Sequence, residues 1–239
     1  MSTLEVKAGD INDLKRWSDS LEHAAPQEVL RWAVGNYSPS LMMATAFGAE
    51  GCVLLAMLSE IITKPAQIRL INLDTGYQFQ ETLDLRDRIR DRYGISVEYI
   101  RAQESVEEME RRFGGAIYKT QPDICCGIRK VEPLKQVAEG YSAWITAIRR
   151  DQTHARKSAG IVEWDSKFQL VKVNPLANWT KRDVWQYITD HDVPYNPLHD
   201  VGYPSVGCKP CTHSVGVGDD DRAGRWANST KTECGLHTR

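Results

Sequence analysis

Apolar residues recur along this chain in two rhythms, one helical and one of short buried strands. Leu14, Trp17 and Leu21 fall at helical spacing, as do Val29, Leu30 and Ala33 after Pro26. Residues 10–35 therefore predict two amphipathic helices, the second starting at Pro26, where the missing N–H costs little. Residues 41–47 form an apolar run of strand length, and a small-residue turn leads from it into an apolar helix beginning at Cys52. Further strands are expected at 68–73, 96–100, 143–148 and 170–173. Between them fall a polar helix at 80–93, with Leu83 and Ile89 facing inward, and a charged helix at 105–113. A last helix is expected at 182–190 behind an N-cap at Thr180, and residues 194–204 read as irregular. Strands alternating with helices predict an α/β protein built on a doubly wound, mostly parallel sheet with helices on both faces. Residues 1–227 read as one domain, and 228–239, poor in apolar residues, as a mobile tail.

Charge and composition narrow this picture. A net charge of −2 over 239 residues gives no polyelectrolyte signature, so no extended nucleic-acid surface is expected. No apolar run is long enough to span a bilayer, and the first thirteen residues lack the pattern of a secretory signal. The expected setting is the cytoplasm, with no membrane partner. There, clustered thiols mean metal or redox chemistry more often than structural disulfides.

The six cysteines are unevenly placed. Cys52 lies among aliphatic residues and reads as a small buried hydrophobe. Cys125 and Cys126 are adjacent, and Cys208 and Cys211 form a C-x-x-C pair. Two such pairs suit a zinc ion or an iron–sulfur cluster. Adjacent side chains diverge in regular structure, so Cys125 and Cys126 reach one centre only through a kinked backbone. A cubane, larger than a single ion, tolerates this better. Cys234 stands alone in the tail beside Gly235 and close to His237. A nucleophilic thiol needs exposure and a cationic neighbour, which His237 is a candidate to supply; its other reading is a hydrogen bond to a bound anion.

Three strand ends carry further chemistry. The turn at 45–51 offers backbone N–H groups at a helix start, and Asp74 follows the second strand where α/β folds bind ligands. Arg149, Arg150, Gln152, Arg156 and Lys157 follow the 143–148 strand and predict an anion pocket.

These marks together resemble the assimilatory sulfonucleotide reductases, specifically the cluster-containing adenylyl-sulfate reductases. The resemblance runs from about Leu41 to His237. It rests on Leu73-Asp74-Thr75-Gly76, Cys125-Cys126 with Arg129-Lys130, Arg149-Arg150-Asp151-Gln152, and Lys172 to Leu176 with Trp179. Cys208 and Cys211, Arg222 to Trp226, and Glu233 to His237 complete it. The resemblance implies an adenine nucleotide alpha-hydrolase-like fold. It also implies reduction of adenosine 5′-phosphosulfate (APS) to sulfite and AMP on the route to cysteine, with thioredoxin or a glutaredoxin-like protein as reductant. It assigns Cys234 as nucleophile, and Cys125, Cys126, Cys208 and Cys211 as ligands of one [4Fe-4S] cluster. Substrate contacts fall to Lys130, Arg149, Arg150, Arg156, Arg222, Arg225 and His237, with Thr45, Gly48, Leu73 and Asp74 lining the nucleotide pocket. A homo-oligomer is compatible with it. Phe47 stands where many relatives carry a hydroxyl, and Ala147 where a glycine is common.

The nearest alternative is the same chemistry on the 3′-phosphorylated nucleotide, PAPS. An ATP-pyrophosphatase of the same fold wants Ser-Gly-Gly-x-Asp-Ser on the first loop, which residues 45–52 do not provide. A non-catalytic metal-stabilised binding module leaves the arginines and Cys234 without a role.

Overall fold

In a computed structural model, the structure describes residues 11–64, 67–227 and 231–237. The first ten residues, the ends of the tail at 228–230 and 238–239, and the first residue of the expected opening helix lie outside the described residues. The elements, in order, are α1 (Ile11–Ser20), α2 (Pro26–Tyr37), β1 (Leu41–Ala44), α3 (Ala49–Ile61), β2 (Arg69–Asp74), α4 (Gln80–Tyr93) and β3 (Glu98–Arg101). There follow α5 (Val106–Phe113), α6 (Ile117–Thr120), α7 (Pro122–Cys126), a π-helical turn (Gly127–Val131), α8 (Glu132–Ala138), β4 (Ala143–Ile145), β5 (Val162–Asp165), β6 (Leu170–Val173) and α9 (Lys181–His191).

The described strands form one sheet in the order β3-β2-β1-β4-β6-β5. All neighbours are parallel except β5, which runs antiparallel to β6. The sheet has helices on both faces, as the alternating pattern predicts. Leu41, Met43, Ala143, Ile145, Val171 and Val173 face the larger apolar cluster, shared with α2, α3, α4 and α9. Met42, Trp144 and Leu170 face the other side, against Leu134 and Ala138 of α8. This period-two alternation on strands buried on both sides is what a parallel core requires. No described helix is long and apolar enough to cross a membrane.

Several boundaries differ from expectation for local reasons. β1 stops at Ala44 because the chain turns sharply at Phe47 (φ 54°), whose ring, 1% exposed, drops into the core beside α3. β5 was not expected: it is an edge strand whose Glu163 and Asp165 break the apolar run. On α4 the buried positions are Thr82, Leu85 and Ile89, so Leu85 rather than Leu83 points inward. Thr180 caps α9 as expected, its hydroxyl accepting from the Asp183 N–H. The irregular 194–204 stretch holds a short 3-10 turn at Pro197–Val201.

β1 runs on to β2 and β3 on one side, whereas β4 lies on the other side of β1. The sheet thus reverses its winding between β1 and β4, and ligands of open α/β sheets bind beyond the strand ends at such a point.

Candidate active site

The loops leaving β1, β2 and β4 open around one cavity of about 340 Å³ at this reversal point. On the β1 side, the Thr45 hydroxyl accepts from the Phe47 N–H at 3.0 Å. A Cβ on Gly51 would stand 2.6 Å from that hydroxyl, so only glycine allows this close approach. Glu50, in the first turn of α3, is paired with Arg149 and accepts from Gln152 Nε2 at 3.0 Å. Arg149 also donates from Nε to Asp151 at 2.8 Å. Two loops from adjacent strands are thereby tied together across the cavity mouth.

Arg150 does not line the cavity. Its Nε donates to the Ala159 carbonyl at 2.7 Å and its Nη2 to Glu22 at 3.0 Å, with Asn178 as a further partner. It pins the turn after α1 to the far side of the β4 loop. Asp74 is likewise turned away, accepting from Arg101 Nε at 2.8 Å and from the Gly76 N–H at 3.0 Å. Leu73, on the opposite side of β2 from Asp74, and Arg149, next to Arg150 in the turn after β4, do line the cavity.

The other expected contacts converge. Thr45, Gly48, Lys130, Arg156, Arg222, Arg225, Cys234 and His237 all line the same cavity. Arg225 lies in a loop fastened to the second cysteine pair. The Trp226 N–H donates to the Cys211 carbonyl at 3.2 Å, and the His213 N–H to the Gly224 carbonyl at 2.9 Å. A Cβ on Gly224 would come within 2.1 Å of the His213 carbonyl oxygen. The Nε atoms of Arg222 and Arg225 are buried without a hydrogen-bond partner among the described residues. So is Nδ1 of His237, and buried polar groups of this kind call for a polar ligand.

His237 is not the cation that Cys234 was expected to need. Burial, and then the charges of Arg156, Lys172 and Arg222, push its pKa well below the ordinary 6.5, so the ring is neutral. The positive groups near Cys234 are instead Lys130 and Arg222. Glu233, Cys234, Leu236 and His237 of the tail line the cavity, with Glu233 buried and Leu236 packed with the Trp144 cluster.

The four paired cysteines line a second, smaller cavity beside the first, together with Tyr77, Tyr118 and Trp226. No disulfide joins any of them. The backbone break that Cys125 and Cys126 require is present: α7 ends on them and passes into the π-helical turn. Arg129 within that turn is buried and donates to the Thr75 carbonyl at 2.8 Å, locking the turn to the end of β2. Lys130, Cys208 and Arg225 line both cavities.

Four thiols lining one cavity are the type of donor set that an iron–sulfur cluster takes. Burial and the other thiols push Cys125 up to about 12 and Cys211 to about 11, so the group cannot ionise together unaided. A metal core would offset that repulsion. Among the described residues no three His, Cys, Asp or Glu side chains are gathered closely enough to hold a metal ion, so the four thiols share a cavity without forming a closed metal site.

Other lining residues carried no separate signal in the sequence. Asn72, fully buried, donates to the Thr45 carbonyl at 2.7 Å and accepts from Gln78 Nε2 at 2.9 Å. Trp144 reads in sequence as an ordinary strand residue, yet it stacks on His237. Glu233 lies inside the motif that carries Cys234, but only the fold shows its partners. Cys52 is buried, and desolvation pushes it to about 12, consistent with a packing role.

The mostly parallel sheet, with its cavity at the reversal point, defines an α/β protein of the adenine nucleotide alpha-hydrolase-like fold. Residues 40–214 match the phosphoadenosine phosphosulfate reductase domain. The chain is 45% identical over 228 residues to adenosine 5′-phosphosulfate reductase 2 of Bacillus subtilis, covering 92% of this chain and 95% of that one. It is 43% identical to the phosphoadenosine 5′-phosphosulfate reductase of Gloeobacter violaceus, with 95% of each covered. Among solved structures it is similar to the phosphoadenylyl-sulfate reductase from Candida auris in a phosphate complex. That match has a TM-score of 0.73 and 32% identity, over 90% of this chain and 99% of that one. A tRNA thiolase from Methanococcus maripaludis, solved with its [4Fe-4S] cluster, shares the fold at a TM-score of 0.50 and 15% identity, covering 71% of this chain and 63% of that one. The chain belongs to the phosphoadenosine phosphosulfate reductase domain family, and is an oxidoreductase of the APS/PAPS reductase kind.

Proposed function

We propose that this enzyme reduces adenosine 5′-phosphosulfate to sulfite and AMP, using Cys234 as nucleophile and a thioredoxin-like dithiol as reductant, to supply sulfite for cysteine synthesis. One observation carries the reading: Cys234 shares a cavity with Lys130, Arg222 and Arg225, directly beside the four-thiol cavity.

The Cys234 thiolate attacks the sulfonate sulfur, the bond from that sulfur to the phosphate oxygen breaks, and AMP leaves with the electron pair. The attacked group is anionic, so cations must offset its repulsion of a thiolate. Lys130, Arg222 and Arg225 provide that field and stabilise the charge appearing on the leaving phosphate. Neutral His237 contributes a hydrogen bond rather than a charge. A reductant thiolate then attacks Cys234 Sγ, sulfite departs with the electron pair of the S–S bond, and the second reductant thiol resolves the mixed disulfide. Sulfur is reduced by two electrons and the dithiol is oxidised by two. For this cycle the tail must close over substrate and then present Cys234 to the reductant.

Cys125, Cys126, Cys208 and Cys211 would hold a [4Fe-4S] cluster. When bound, it supplies rigidity and an electrostatic field next to Lys130 rather than electrons for the thiol exchange.

The test is anaerobic purification with iron and sulfide counts, a visible spectrum, and APS-dependent sulfite release for wild type and Cys234→Ser. A brown Cys234→Ser protein without turnover supports the reading. A colourless, zinc-bearing protein, or a Cys234→Ser variant with full turnover, overturns it. The relatives named for PAPS make that nucleotide the second reading. The four paired cysteines favour APS, and comparing kcat/KM for the two nucleotides decides between them.

A further inference from the structure

Arg156 is one of the cations that sequence reasoning assigns to the substrate, yet its guanidinium is already engaged. Its Nε donates to Glu233 Oε1 at 2.9 Å and its Nη2 to Glu233 Oε2 at 2.7 Å, a two-pronged pair between side chains that are 9% and 4% exposed. Thr153 donates to the same carboxylate at 3.1 Å. Arg222 approaches it at 3.5 Å and donates to the Thr232 carbonyl at 2.8 Å. On the other side of Cys234, Lys167 Nζ donates to the Gly235 carbonyl at 2.7 Å. The thiol is thus bracketed by charge-assisted bonds from three different parts of the fold.

We propose that Glu233 is a positioning residue. Through its pair with Arg156 it latches the tail shut and sets Cys234 in the cavity, so Arg156 serves the tail rather than the substrate. The inference deepens the reading of Cys234 as nucleophile and rests on it for its catalytic consequence.

The geometry argues this in three ways. A planar guanidinium bound by two prongs has few donors left for a second anion. A buried carboxylate must keep its partner, because breaking such a pair leaves an uncompensated charge. Arg156 outranks the other contacts: after the burial that opposes ionisation, its hydrogen bond is the first influence holding Glu233 below the usual carboxylate range, followed by its charge and that of Arg222. Anion binding in the cavity is left to Lys130, Arg222 and Arg225, two of which carry a buried Nε without a partner among the described residues.

The experiment uses the full-length, cluster-loaded enzyme and the isosteric variants Glu233→Gln and Arg156→Gln. Cys234 accessibility is read by site-resolved alkylation with iodoacetamide, and tail opening independently by trypsin cleavage after Lys231. Both variants are expected to raise both rates on the order of tenfold, because the latch is broken from either side. The double variant should be no worse than either single one, as partners in one interaction are not additive. In turnover, kcat should fall by a similar factor while KM for APS stays within about twofold, the mark of a lost closed state rather than a lost substrate contact. Arg156→Lys should recover only part of the loss, since a single ammonium cannot replace the fork. Unchanged alkylation and proteolysis in both variants overturns the latch. So does an Arg156→Gln enzyme with unaltered tail accessibility and a KM raised tenfold. The accessibility measurements do not depend on Cys234 being the nucleophile, which Cys234→Ser tests separately.

Discussion

The imidazole of His237 lies flat on the indole of Trp144, with ring centroids 5.7 Å apart and planes 16° from parallel. His237 thus anchors the tail against the core at a place where taking up a proton is disfavoured. Burial and the surrounding cations hold the pKa of docked His237 well below 6.5, its ordinary value. Below about pH 6.5 the undocked tail takes up a proton that the docked tail refuses, so docking weakens as pH falls. Glu233 has a lowered pKa, and its contribution persists until the pH falls through the acid carboxylate range. Amide hydrogen exchange of residues 231–237, normalised to intrinsic rates, should be flat above about pH 7 and rise as pH drops towards 5.5. Exchange that slows on acidification would contradict a neutral His237.

Lys130 lines both cavities, and the thiols of Cys208, Cys234 and Cys126 raise its pKa even though burial alone would lower it. It is held charged between the four paired thiols and Cys234. Lys130→Ala should cut turnover by about a hundredfold or more, as loss of one electrostatic donor does at such sites. The visible spectrum and iron content should be those of wild type. Full turnover in this variant would remove Lys130 from the mechanism.

Arg149 and Arg150 are neighbours in sequence with separate tasks. Arg150→Ala breaks bonds to Glu22, Asn178 and the Ala159 carbonyl, none of which line the cavity. It should lower stability by about 1–3 kcal/mol with kcat/KM close to wild type. Arg149→Ala, which frees Glu50 at the cavity mouth, should lower kcat/KM for the nucleotide as well. Denaturant titration alongside steady-state kinetics separates the two.

Gly224 faces the His213 carbonyl so closely that any Cβ would collide with backbone. Gly224→Ala must shift the loop that carries Arg222 and Arg225 away from the cysteine loop. The expected outcome is a rise in KM for APS together with a lower iron content per chain. An alanine variant with wild-type values for both would show that the two loops are not coupled.

The layered α/β pattern was legible because it is written in local spacing: short apolar runs on β1, β4 and β6, helical periodicity on α1 and α2, and caps such as Thr180. The edge strand β5 escaped because an exposed strand needs no apolar run. The thiol groups were legible as groups, since C-x-x-C and an adjacent pair are unusual at any distance. The division of labour among the basic residues was not. Arg149 and Arg150 look equivalent in sequence, and only the path of the turn after β4 sends one into the cavity and the other to Glu22.

The sequence by itself determined the parallel α/β architecture, the family, the four grouped thiols and the solitary Cys234, because each depends on residue type and short-range order. The tertiary structure decided the charge state of His237 and the partner of Arg156. It also decided the sharing of Lys130 between two cavities. These depend on burial and on contacts between residues as far apart in sequence as Arg156 and Glu233, where electrostatic strength is set by how much water the fold removes.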